Sequence, residues 1–172
     1  MKRRLLIIGI AAVLALAVSA ALAIAAAGGG MSGSSGATVS VKRVGAAGKV
    51  LVDAKGLALY RNDQERGKMV LCVGECAKFW QPLVSHGAPK GNALPGKLGL
   101  AKRPGGAMQV TYNGKRLYTF TIDRPGKVTG DNFHDAFGGQ SFTWHVERLG
   151  KGSSSPSSSG SGGYQYPGYP AP

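Results

Sequence analysis

Apolar and polar positions divide the chain of 172 residues into unlike parts. Leu5 to Ala27 is a run of 23 uncharged, mostly aliphatic residues, preceded by Lys2, Arg3 and Arg4 and closed by Ala25-Ala26-Ala27. A basic flank, an apolar body and small residues in an A-x-A pattern are the parts of an export signal. At 1.5 Å per residue the run is also long enough to cross a bilayer, so 1–27 reads as a signal peptide or an N-terminal membrane anchor. In both cases the basic flank stays in the cytoplasm and the rest is delivered outside. Beyond it the period changes to two. Val39 and Val41 alternate, Val50 and Val52 alternate on one face with Leu57 and Leu59 beyond the turn, and Phe142, Trp144 and Val146 alternate with Thr143, His145 and Glu147 on the opposite face. This is the pattern of half-buried strands.

Turn chemistry joins these strands. Asn113-Gly114 tolerates positive φ at both central positions and predicts a type I′ hairpin between 108–112 and 116–122, while Asp53 to Gly56 supplies a longer turn for the pair before it. Gly48 to Tyr60 aligns without gaps onto Gly106 to Tyr118, 58 residues further on. Glu75 to Trp80 is the single helical piece. The expected fold is therefore mostly β: a small antiparallel domain built from two related β-hairpin repeats, about 48–83 and 106–148, with one short helical turn. Its expected core is Val50, Val52, Leu59, Val110, Leu117, Phe120 and Val146, with Trp80 (followed by Pro82) and Trp144 each closing one half. Residues 28–36, Gly/Ser-rich, read as a flexible spacer, 37–150 as the folded domain, and 151–172, Ser/Gly then Tyr/Pro-rich, as a disordered tail.

Composition narrows the classes. The apolar content of 43% is inflated by the leader, which excludes a large core and a multi-pass membrane protein. The formal charge is +13, and +10 without Lys2, Arg3 and Arg4, with the cations spread from Lys42 to Lys151 in no dense run. Cys72 and Cys76 are the two cysteines. Delivered to an oxidising compartment, they read by default as a local disulfide, with a redox-active or metal-binding pair as the alternative. No C-x-x-C-H is present to attach haem.

Hydrolase and nucleotide signatures (G-x-S-x-G, P-loop, G-x-G-x-x-G, H-E-x-x-H) are missing, so no catalytic residue, enzyme activity or cofactor is expected. Asp123 reads as a cap on the Arg124-Pro125-Gly126 turn, with a cation site from Asp123, Asp131 and Asp135 as the sharper alternative. Gly130 to Asp135 lacks EF-hand spacing. His134 and His145, joined by Met108 or a cysteine, are the remaining candidates for a copper-like metal site.

Leu59-Tyr60, Cys72-x3-Cys76-Ala77-x2-Trp80-x-Pro82-Leu83, the run Tyr112 to Asp123, Gly126-x3-Gly130 and Trp144-His145-Val146 together resemble the bacterial secreted repeat of unknown function, a family of predicted lipoproteins with a Yx(F/W/Y)xxD motif. The second copy carries Tyr118, Phe120 and Asp123 in the motif positions. The first keeps Tyr60 but has Asn62 for the aromatic and Glu65 for the aspartate. The chain also has Gln81 where the family usually has proline, and no cysteine near the leader to carry a lipid. The resemblance implies an extracytoplasmic protein of unestablished role, secreted or held to the membrane by its N-terminal segment. A non-enzymatic binding or scaffold module at the cell surface is expected, with a redox, electron-transfer or metal-binding accessory as the alternative. Anionic envelope polymers or lipid headgroups are the expected partners, reached by long-range attraction. No basic-aromatic module of a nucleic-acid-binding fold is present. Tyr164, Tyr166 and Tyr169 among the tail's prolines offer surface to an unknown protein partner.

Overall fold

Two consecutive residues with positive φ, Asn113 at 49° and Gly114 at 79°, make the tight turn the sequence calls for, and the strands on either side pair Thr111 with Arg116 and Tyr112 with Lys115. The computed structural model describes residues 37–91 and 94–150. The readings of 1–27, 28–36 and 151–172 lie outside the described residues.

Strand β1 (Thr38–Val44) passes through a 3-10 turn (Gly45–Ala47) into β2 (Gly48–Asp53), followed by β3 (Tyr60–Asn62), helix α1 (Glu75–Phe79), β4 (Trp80–Pro82) and β5 (Lys90–Gly91). Then come β6 (Leu98–Lys102), β7 (Met108–Tyr112), β8 (Lys115–Arg116), β9 (Tyr118–Phe120), β10 (Phe133–Phe137) and β11 (Gln140–Val146). They form a central sheet in the order β10-β11-β3-β9-β4, flanked by β2-β1-β5 and β6-β7-β8. All strand pairs are antiparallel except β1 with β5.

The two halves follow one hydrogen-bond plan. Adding 59 to the pair Val39 and Asp53 gives Leu98 and Tyr112, and adding it to Val44 and Gly48 gives Arg103 and Ala107, which are also bonded. Adding 58 takes Tyr60 to Tyr118, and adding 64 takes Trp80 and Pro82 to Trp144 and Val146. Under these offsets Leu83 N–H to Leu117 C=O matches Glu147 N–H to Leu59 C=O. Likewise Val110 N–H to Leu83 C=O matches Leu51 N–H to Glu147 C=O, and the bridge Val84 with Gln109 matches Val50 with Arg148. Tyr60 and Tyr118 face each other across β3 and β9, so the local two-fold relation passes between them.

The changes in offset locate the differences. The gapless alignment fails by one residue at the hairpin turn: Asp53 bonds Leu57 across three residues, whereas Tyr112 pairs Lys115 across two. Leu51, not Val52, is therefore the counterpart of Val110. The matched region also begins earlier than 48 and 106, because β1 and β6 belong to it. The six further residues of the second half are spent on the β10-β11 hairpin, which stands where the first half has α1.

The core is two clusters. One holds Val44, Val50, Val52, Ala58, Tyr60, Cys72, Cys76, Trp80, Tyr118, Phe120, Phe142, Trp144 and Val146; the other holds Val39, Leu51, Leu59, Val110, Tyr112 and Leu117. Every residue expected in the core is buried, but Leu59 does not join Val50 and Val52 on one face. The second hairpin's outgoing strand breaks at Leu117, Arg116 pairing with β7 while Tyr118 enters the central sheet, so a single alternation cannot run through it. Trp80 opens β4 instead of ending the helix, and the two tryptophans stack on each other at 4.0 Å instead of closing separate halves.

Candidate functional site

The motif residues meet across the two-fold relation. The Tyr60 hydroxyl donates to Asp123 Oδ2 at 2.5 Å, and the Tyr118 hydroxyl donates to Glu65 Oε2 at 2.5 Å. Each tyrosine thus serves the acid that lies five residues after the other tyrosine. The second oxygens repeat the symmetry: Asp123 Oδ1 accepts from Thr129 N–H and Oγ1, and Glu65 Oε1 accepts from the Leu71 and Cys72 N–H groups. Asp123 therefore caps the chain at Thr129 and not the Arg124-Pro125-Gly126 turn, since its buried carboxylate points inward. Burial, then the neighbouring carboxylate, pushes both phenols well above the ordinary tyrosine range, Asp123 acting on Tyr60 and Glu65 on Tyr118.

The departures in the first copy have local explanations. Asn62, 2% exposed, accepts the Glu65 N–H through Oδ1 at 2.8 Å, whereas at the equivalent place Phe120 uses its backbone carbonyl for Asp123 N–H. Freed from capping, the Phe120 side chain stacks on Trp80 at 4.0 Å, and Trp80 in turn stacks on Trp144. One carboxylate holds this column: Asp135 Oδ2 accepts from Trp80 Nε1 at 2.7 Å and Oδ1 from Trp144 Nε1 at 3.0 Å. Gly130 lies against the column, where a Cβ would stand 2.6 Å from the Trp80 ring.

Cys72 and Cys76 form a disulfide with Cα atoms 5.1 Å apart. Cys72 precedes the helix instead of lying on it, because Gly74 turns the chain at φ 55° before α1 begins. Two buried guanidinium groups fix the segment just upstream. Arg103 donates to the Cys72 carbonyl, Gln109 Oε1 and the Tyr118 hydroxyl; Arg116 donates to the carbonyls of Lys68, Met69, Ala101 and Lys102. Their counterparts in the first half are Val44 and Ala58, so this polar network belongs to the second hairpin alone. Sequence reading missed Arg103, Gln109 and Arg116, and it named Asp135 as a cation ligand where the carboxylate instead accepts from the two indoles. Spacing carries no sign of the first three; only their positions between buried neighbours do.

The metal candidates do not converge. Met108 is on β7, in a different sheet from His134 and His145. His134 Nδ1 faces Thr143 Oγ1, and His145 engages Asp63 through Nε2 at 2.9 Å and Asn132 through Nδ1 at 3.0 Å. Burial raises Asp63, but the His145 and Arg61 contacts outweigh it and hold the carboxyl below its usual range. Asp131 pairs with Arg148, apart from Asp123 and Asp135. Among the described residues no three His, Cys, Asp or Glu side chains are grouped to hold a metal ion.

What the chain presents outward is positive charge. Asp53, Glu65, Asp123 and Asp135 are buried, and Asp63, Asp131 and Glu147 are half-buried in ion pairs. Among the described residues twelve Lys and Arg are exposed against one exposed carboxylate, Glu75. At the β1-β2 end Arg43 and Lys49 sit directly opposite each other, an arrangement that costs stability without an anion nearby. No helix among the described residues is long and apolar enough to cross a membrane.

No curated protein and no solved structure matches the chain. Residues 99–146 match a family model, from the second residue of β6 to the last of β11. That model describes a secreted repeat of unknown function, the family that the motif Tyr118, Phe120 and Asp123 resembles, and the matched stretch contains all three residues.

Proposed function

We propose that this protein is a non-enzymatic, extracytoplasmic binding module that holds anionic polymers or headgroups of the cell envelope on its cationic surface. The observation that carries the reading is the sorting of charge: among the described residues every carboxylate but Glu75 is buried or half-buried in an ion pair, while twelve Lys and Arg stand exposed. Such a surface concentrates polyanions by long-range attraction, and the directly opposed Arg43 and Lys49 are relieved by one. Nucleic acid is not the expected polyanion, and no cofactor enters the reading. The redox alternative gains no support, since Cys72 and Cys76 are both buried and thiol exchange needs an accessible sulfur.

The test is retention of the full chain on immobilised polyphosphate against neutral dextran, from about 0.05 to 0.5 M salt, over which the screening length shrinks several-fold. Retention on polyphosphate at low salt that disappears at high salt is expected. Equal retention on both matrices, or binding indifferent to salt, would overturn the proposal.

A further inference from the structure

The segment between β3 and α1 shows apolar side chains that its own bonding leaves outside. Met69 and Val73 are 52% and 46% exposed, and with Val84 they are the large exposed hydrophobic residues among those described. Arg66 and Lys68 stand exposed beside them. The flanking acids do not offset this charge locally, because Glu65 turns inward to Tyr118 and Glu75 pairs with Lys78.

The backbone of this loop is fixed at many points. Glu65 takes the Leu71 and Cys72 N–H groups, Arg116 the Lys68 and Met69 carbonyls, Arg103 the Cys72 carbonyl, and the disulfide ties Cys72 to Cys76. A loop held this way cannot fold its apolar side chains under, so it presents them. The equivalent stretch of the second half has exposed Arg124 and Lys127, but its one comparable apolar residue, Val128, packs on the core. The combination is therefore a property of the first half's loop alone.

We infer that residues 66–73 are a docking loop for the surface of an anionic lipid bilayer. Arg66 and Lys68 meet headgroup phosphates while Met69 and Val73 enter the boundary with the acyl chains. A hydrated polyanion would satisfy the cations and leave both apolar side chains in water; a bilayer interface satisfies both. In the sequence nine residues, 28–36, separate this domain from an apolar run long enough to span a membrane. The inference rests on the cationic-surface reading and narrows the ligand of this face to lipid headgroups.

The test adds the full chain to vesicles of phosphatidylglycerol or of phosphatidylcholine and reads hydroxyl-radical oxidation of Met69, with Met108 as internal control, alongside acetylation of the exposed lysines. The neutral vesicles control for affinity of the apolar leader. Slowing of Met69 oxidation by roughly tenfold on the anionic vesicles alone is expected, and M69S/V73S is expected to weaken binding to them by roughly tenfold without changing the unfolding temperature. Lysines protected with Met69 oxidised at its free rate would overturn the docking loop and leave the polyanion reading standing. Protection of neither would overturn both, and equal protection of Met69 by soluble polyphosphate would overturn the choice of a bilayer.

Discussion

Replacing Asp135 by Asn tests the aromatic column at its most economical point. The carboxylate is 5% exposed and gives one oxygen to each indole N–H, at 2.7 and 3.0 Å. Asparagine keeps the shape but offers one acceptor oxygen, and its amide then confronts the second indole donor with another donor. A hydrogen bond to a charged group contributes about 1.5–3 kcal/mol, and a stripped buried donor adds its own desolvation, so D135N should cost about 2–4 kcal/mol. At roughly 4 °C per kcal/mol for a domain of this size, the midpoint should fall by about 8–16 °C. Trp80 and Trp144 are the two tryptophans of the chain and are fully buried, so thermal unfolding followed by intrinsic fluorescence reports directly on this place. Glu75→Gln, which breaks an exposed pair with Lys78, is the control and should stay within about 0.5 kcal/mol. If D135N melts within about 2 °C of the parent, the carboxylate is not holding the column and the reasoning fails.

Gly130→Ala should destabilise by about 1–3 kcal/mol in the same melt, because the new methyl meets the stacked Trp80 ring at 2.6 Å and that ring is confined between Phe120 and Trp144; a neutral outcome would show the column to be loose. Tyr60 and Tyr118 have folded-state ionisation raised above the unfolded value, so their contribution to stability is complete below about pH 10 and is lost as pH rises beyond it. Tyrosinate absorbance should accordingly contain a component of two tyrosines that ionises only as the fold opens, and Tyr60→Phe with Tyr118→Phe should remove it. Reducing Cys72–Cys76 should cost about 2 kcal/mol by release of a short closed loop, read as a lowered midpoint with reductant; an unchanged midpoint would count against the disulfide.

Much of the fold is legible in the sequence because alternation and turn chemistry are local. Phe142, Trp144 and Val146 are buried with Thr143, His145 and Glu147 on the other side, and Asn113-Gly114 makes its turn. The site is less legible because it depends on pairing between distant segments. The five-residue spacing from Tyr to acid is visible in both copies, yet nothing in it says that each tyrosine reaches the other copy's acid. Glu65 looks like a decayed aspartate and is in fact a full partner, its longer side chain spanning to Tyr118 while Asn62 caps its N–H. The one-residue difference between the hairpin turns was hidden by small and β-branched residues that align equally well in either register. Arg103 and Arg116 pass for surface charge until the fold encloses them.

The halves hold each other through exchanged tyrosine-acid bonds, and a double-mutant cycle reads that exchange. Unfolding free energies of Tyr60→Phe, Asp123→Asn and the double variant should give a coupling of about 1.5–3 kcal/mol, while Tyr118→Phe with Asp123→Asn should add within about 0.5 kcal/mol. Strong coupling of Asp123 to Tyr118 and additivity with Tyr60 would contradict the exchange and the fold plan built on it.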